Sequence, residues 1–105
     1  MSEEFDIGWS NRTSKDLEKI ERYLKENASD LVAEKVIRAL FNAVEPTRTQ
    51  PERFPLEPKL KKYGNYRFIM IWNYRIIYEF TGNQIIVHRI VHGRQDRRKW
   101  LRSIK

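Results

Sequence analysis

Residues 66–94, YRFIMIWNYRIIYEFTGNQIIVHRIVHGR, leave this chain little choice of structure. Tyr66–Trp72, Tyr74–Phe80 and Ile85–His92 are dense in aromatic and β-branched residues, the composition that strands prefer. Asn73 separates the first two runs. Thr81-Gly82-Asn83 supplies a tight turn before the third, since Gly and Asn accept positive φ at low cost. Gly93 ends it. Strands joined by so few residues run antiparallel, so the stretch predicts a β-meander.

Apolar residues occupy both of its faces. Ile76, Tyr78 and Phe80 alternate with Arg75, Ile77 and Glu79, and Ile86, His88, Ile90 and His92 alternate with Ile85, Val87, Arg89 and Val91. The pattern predicts a sheet covered on one side and partly open on the other. Arg67, Arg75, Glu79, His88 and Arg89 are threaded through it. They are candidates for function on the open face, or else for solvated edge positions.

What precedes the meander supplies the cover. Phe5, Ile7 and Trp9 alternate with Asp6 and Gly8, which predicts a short first strand. After a polar break from Ser10 to Ser14, Thr13 and Asp16 have the spacing of a capping box. Leu17, Ile20 and Leu24 then mark an amphipathic helix to about Glu26, widened by Tyr23. Ser29 or Asp30 caps a second helix, whose apolar positions Ala33, Val36, Ile37, Leu40, Phe41 and Val44 run until Pro46 stops it. A helical hairpin packed on one face of the sheet follows, with the other face left for function. Residues 46–65 form a long connection containing Pro46, Pro51, Pro55 and Pro58, and a loop of this length in a small domain is usually either functional or hides elements of its own. After the meander, Trp100, Leu101 and Ile104 predict a short basic C-terminal helix. Trp100 there is either docked on the core or a base-stacking platform among cations.

The 105 residues suit one α+β domain spanning 1–105. No apolar run has transmembrane length and no signal-peptide core follows Met1, so a cytoplasmic protein without a membrane is expected. Cysteine is absent and the two histidines lack an HExxH spacing, so neither a metal nor a cofactor is expected. Charge is unevenly placed. Residues 1–45 carry seven Lys/Arg against ten Asp/Glu, whereas residues 46–105 carry fourteen against four. The basic half points to an acidic or polyanionic partner.

Chemically, the chain has no Gly-rich phosphate loop, no nucleophile elbow and no paired carboxylates in the sheet. Cations, imidazoles and aromatics suit metal-free RNA cleavage: a base for the 2′-OH, cations for the charged phosphorane, and an acid for the leaving oxygen. His92 or His88 fits the acid–base role and Arg67, Arg75 and Arg94 the phosphate clamp.

The segments Tyr74-Arg-Ile-Ile-Tyr78-Glu and Ile85-Ile-Val-His-Arg-Ile-Val-His92-Gly-Arg94-Gln-Asp96, with Lys59-Leu-Lys61 and Tyr66-Arg67 upstream, resemble the RelE/ParE toxin superfamily of type II toxin–antitoxin modules. The order of strand, helical hairpin, Pro-containing loop and meander matches as well. The resemblance implies a cytoplasmic toxin held inactive by a small antitoxin, and the basic second half leads one to expect that antitoxin to be acidic in its toxin-binding segment. It implies one of two targets, mRNA on the ribosome or DNA gyrase. For the ribonuclease, the resemblance makes His92, Arg67, Arg94 and Lys61 the catalytic set. Lys59, Lys62, Arg75, Arg97, Arg98 and Trp100 are the residues expected to bind the target. Trp100, however, stands where RelE-like toxins often carry a catalytic tyrosine, and an indole has no hydroxyl. The balance therefore leans to a ParE-like gyrase poison, with a RelE-like endoribonuclease as the alternative and an inactive antitoxin-binding remnant as a third reading.

Overall fold

The computed structural model describes residues 3–93 and 97–104, with residues 97–99 described as backbone. The meander forms as its composition requires: β2 (Tyr66–Ile71), β3 (Tyr74–Phe80) and β4 (Gln84–His92) pair antiparallel in sequence order. The first strand, β1 (Asp6–Trp9), joins the sheet beside β4 and parallel to it, giving the order β1-β4-β3-β2. A register shift between Ile77 and Tyr78 places Val87 opposite Tyr78 and Arg89 opposite Ile77, so His88 is the extra residue of a bulge.

The helical hairpin consists of α1 (Asn11–Asn27) and α2 (Asp30–Val44). Ser29 caps α2 by accepting from the Val32 amide. The start of α1 differs from the capping-box expectation. Ser10 is the cap, accepting from the Thr13 amide, and Thr13 and Asp16 lie buried within the helix. They have a longer-range task. β1 pairs with β4 only as far as Trp9 opposite Val87, and beyond that point α1 takes over the edge of β4. Ser10 donates from its amide to the Val87 carbonyl and from its hydroxyl to that of His88, while the Thr13 hydroxyl also donates to Val87. The Asp16 carboxylate accepts from the Ile90 amide at 3.0 Å and from Arg89 at 2.7 and 3.0 Å. Three polar side chains on one helix thus replace a missing strand, because buried backbone donors and acceptors must find partners somewhere.

One face of the sheet packs on the hairpin as expected. Leu40 and Val44 of α2 meet Ile69, Ile76, Tyr78, Ile85, Val87 and Ile90, with Leu17, Ile20, Val36 and Ile37 packed around them. The opposite face is open only in part, as apolar residues on both faces led one to expect, and much of what was left for function is instead core. Leu60, Tyr66, Ile77, Val91 and Trp100 form a second buried cluster, flanked by Phe68, Leu101 and Ile104. Its cover comes from two short elements, a 3-10 turn at Pro58–Tyr63 and the C-terminal helix α3 (Arg97–Ile104). The long connection is accordingly less irregular than its prolines suggest. It carries that turn and another at Glu45–Arg48, and Leu56 bridges to Arg67 along the outer edge of β2.

Asp16 and Arg89 are only 8% and 6% exposed, so removing one strands the other. Asp16→Ala is expected to cost about 3–5 kcal/mol by urea unfolding, since an uncompensated buried charge remains. The double variant Asp16→Leu/Arg89→Met should recover much of that loss, because no charge is then left unpaired. A second outcome concerns Tyr78, whose hydroxyl donates to the Pro51 carbonyl at 2.7 Å. Burial pushes its phenol up from 10.0 to about 12, against an opposing pull from the nearby Arg67 charge. A raised folded pKa contributes stability that is complete below about pH 10 and is lost as pH rises through about 12. Tyr78→Phe should lose about 1 kcal/mol at neutral pH and flatten the stability decline across that alkaline window.

Candidate functional site

The three strand arginines come one from each meander strand, and all three turn out to be struts. Arg67 on β2 donates to Asn65 Oδ1 at 2.8 Å and to the carbonyls of Glu52 and Phe54 at 3.1 and 2.6 Å, and it pairs with the Glu52 carboxylate at 3.4 Å. It therefore fastens the proline-containing connection beside Tyr78, its cross-strand partner. Arg75 on β3 pairs at 2.7 Å with Glu57, which is almost wholly buried, and stacks 4.1 Å above the Phe68 ring. Glu57 in turn accepts the Leu60 amide on its carbonyl, so this ion pair anchors the 3-10 turn at Pro58–Tyr63. Arg89 on β4 holds Asp16 on one side and the Ser103 hydroxyl at 2.6 Å on the other, linking α1, the sheet and α3. Each guanidinium thus has partners within the fold: Arg67 and Arg89 through several donors, Arg75 through one donor and its stacking on Phe68.

His92 lies at the far end of β4 on the hairpin side of the sheet. Its ring meets Tyr74 edge-on, with centroids 5.6 Å apart. Both residues line a cleft of about 420 Å³ with Asp16, Lys19, Ile20, Tyr23 and Ile90. Burial, helped by the neighbouring Tyr23, raises the Tyr74 pKa, so its phenol keeps its proton at neutral pH. His88 sits elsewhere, its Nε2 2.9 Å from Glu79 Oε1 and its ring 5.3 Å from that of Tyr66.

Lys59, Lys61 and Lys62 are exposed on the 3-10 turn, with the Lys62 ammonium 5.2 Å above the Tyr63 ring. That turn covers the second cluster, on the sheet face opposite the one that carries Tyr74 and His92. His92, Arg67 and Lys61 are therefore not brought into one constellation. Trp100 is 3% exposed and packs with Leu60, Tyr66, Ile77 and Val91, which is the docked arrangement rather than a stacking platform. Arg94 lies outside the described residues, and of Arg97 and Arg98 the structure gives only the backbone at the start of α3. The sequence reading missed Asp16 and Glu57, whose carboxylates hold Arg89 and Arg75. The signals that were present were an acid early in a predicted helix and an acid just before Pro58.

This architecture is shared with known toxin–antitoxin proteins. A chain from the chromosomal ParDE toxin–antitoxin system of P. aeruginosa superposes with a TM-score of 0.72 at 17% identity, covering 84% of this chain and 95% of that one. A chain of the toxin–antitoxin complex RelBE2 from Mycobacterium tuberculosis gives a TM-score of 0.62 at 15% identity, covering 86% of this chain and 92% of that one. The fold is thus the α+β RelE/ParE-like one, with an N-terminal strand, a helical hairpin, an antiparallel meander and a short C-terminal helix. Among curated proteins no relative matches. The family model described as the ParE toxin of type II toxin–antitoxin system, parDE, matches residues 7–97, and the chain belongs to that family.

The strut assignment separates the cations experimentally. Arg67→Ala should lower stability by about 1 kcal/mol, as the partly buried Phe54 carbonyl and the exposed Glu52 carbonyl lose their donor. Lys59→Ala, Lys61→Ala and Lys62→Ala, which alter solvated side chains, should leave the thermal midpoint nearly unchanged. Thermal melts of the four purified variants check both halves.

Proposed function

We propose that this type II toxin acts by occupying a target protein rather than by cutting RNA, with DNA gyrase as that target. The observation carrying this reading is the dispersal of the candidate catalytic groups. Arg67 and Arg75 are engaged in holding the proline-containing connection and the 3-10 turn. His92 and the lysines of that turn lie on opposite sides of the sheet. Trp100 is buried and has no hydroxyl to offer. Phosphodiester cleavage requires base, acid and cation within reach of one phosphate, whereas a poison needs only a complementary surface. ParE-family membership supports the same choice.

A small antitoxin neutralises the toxin in this reading, as the toxin–antitoxin complexes among the structural relatives suggest. The basic character of residues 46–105 favours an acidic toxin-binding segment in that antitoxin. The chain then works as one domain in the bacterial cytoplasm, where gyrase and antitoxin are met. No described helix is long and apolar enough to cross a membrane.

The test is a supercoiling assay with purified toxin and gyrase holoenzyme, run beside primer extension on a message under translation. Loss of supercoiling, restored by antitoxin, with an intact message is the expected result. Cuts confined to ribosome-bound codons with unimpaired supercoiling would overturn the proposal in favour of a ribosome-dependent endoribonuclease.

A further inference from the structure

The turn between β2 and β3 consists of Trp72 and Asn73, flanked by the paired residues Ile71 and Tyr74. Trp72 adopts φ of 51°, and among the described residues it is the one non-glycine with positive φ. Positive φ at the first central position of a two-residue hairpin turn is where glycine is preferred. A bulky aromatic there is strained. Its side chain recovers nothing by burial, being 63% exposed, and Met70 two residues earlier is 51% exposed. Neither side chain belongs to either buried cluster or its packed margin. A strained backbone carrying a solvated indole beside a solvated thioether has no account in the stability of the fold. Strain of this kind collects at sites of engagement.

We infer that the Trp72–Met70 tip is the toxin's anchor on its target, and that the occupant is an acidic protein surface with an apolar recess for the indole. This rests on the reading of the toxin as a protein-binding poison. Trp and Met are enriched at protein interfaces, and Trp is among the residues enriched at energetic hot spots. The charge of the partner follows from the acids of the sheet half. Glu52, Glu57 and Glu79, the acids of residues 46–93, are each hydrogen-bonded within the molecule: to Asn65 and Arg67, to Arg75, and to His88. The lysines at 59, 61 and 62 face solvent, so the charge this half presents outward is positive. A nucleic-acid platform would set out successive aromatics for successive bases, whereas the other exposed apolar side chain of this hairpin end, two residues before Trp72, is a methionine.

The deciding variant is Trp72→Gly, because glycine removes the anchor and relieves the backbone at once. The expected result is an unchanged or raised thermal midpoint and antitoxin affinity within about twofold of the parent. Growth arrest and gyrase-holoenzyme binding should each fall at least tenfold. Met70→Gln should weaken both in the same direction, and Leu31→Ser, at an exposed apolar site on α2, should not. Full growth arrest by folded Trp72→Gly overturns the inference. So does a lowered midpoint, which makes the tip structural, or an equal loss of antitoxin binding, which makes it an antitoxin contact. Binding of a single-stranded oligonucleotide that disappears in Trp72→Gly overturns it in favour of a nucleic-acid platform. If the parent toxin arrests growth without binding gyrase, the gyrase assignment fails. Retention or loss of arrest in Trp72→Gly still decides the anchor.

Discussion

Beyond Val87, β4 keeps β3 on one side but has no strand on the other, and the rest of the molecule is arranged around that deficit. Unpaired backbone groups in a buried strand are costly, so something must satisfy them. The first turns of α1 do so with Ser10, Thr13 and Asp16, and this places the hairpin at a fixed angle across the sheet. Asp16 brings a buried negative charge with it, which Arg89 neutralises, and Arg89 then reaches Ser103 in α3. One carboxylate thereby fixes the hairpin on one side of the sheet and contributes to holding the C-terminal helix on the other.

Arg67 and Arg75 extend this logic to elements with little apolar surface of their own. The 3-10 turn at Pro58–Tyr63 contributes Leu60 as its buried apolar side chain, and the Glu57–Arg75 pair adds to the backbone bond from the Glu57 amide to the Tyr66 carbonyl. The proline-containing connection is tied by carbonyls that Arg67 and Tyr78 reach from adjacent strands. Proline lacks an amide donor, which leaves fewer ladder bonds to hold such a segment and makes side-chain donors to its carbonyls more important. A basic meander thus uses its internal positive charge as scaffolding. The lysines of the 3-10 turn and the strained tip are left exposed to solvent. That division separates what holds this toxin together from what its target would touch.

The helical hairpin and the meander were legible because their signals are local. Ser29 next to an apolar helical stripe, and Gly82-Asn83 between β-branched runs, each determine the backbone within a few residues. Thr13 and Asp16 were misread as a local cap for the same reason. Their spacing fits a capping box, but spacing alone does not reveal that the edge of β4 passes beside them. The strand arginines posed the opposite problem. Their positions on the faces of the sheet were readable, yet their partners Asp16, Glu52 and Glu57 lie far away in sequence. The two-residue turn was visible at Asn73, while the positive φ falls on Trp72, a residue whose type argues against it.

By itself, the sequence determined the α+β architecture, the strand and helix order, and a basic second half, since periodicity, turn chemistry and charge are properties of the chain. Tertiary structure alone decided which of those charges are available. Whether an arginine in a strand is a phosphate clamp or a strut depends on whether a carboxylate from elsewhere reaches it. Burial then makes that pairing obligatory. It likewise decided that Trp100 fills a core while Trp72 stands in solvent, because the cover on the second sheet face comes from short elements that pattern and propensity do not position.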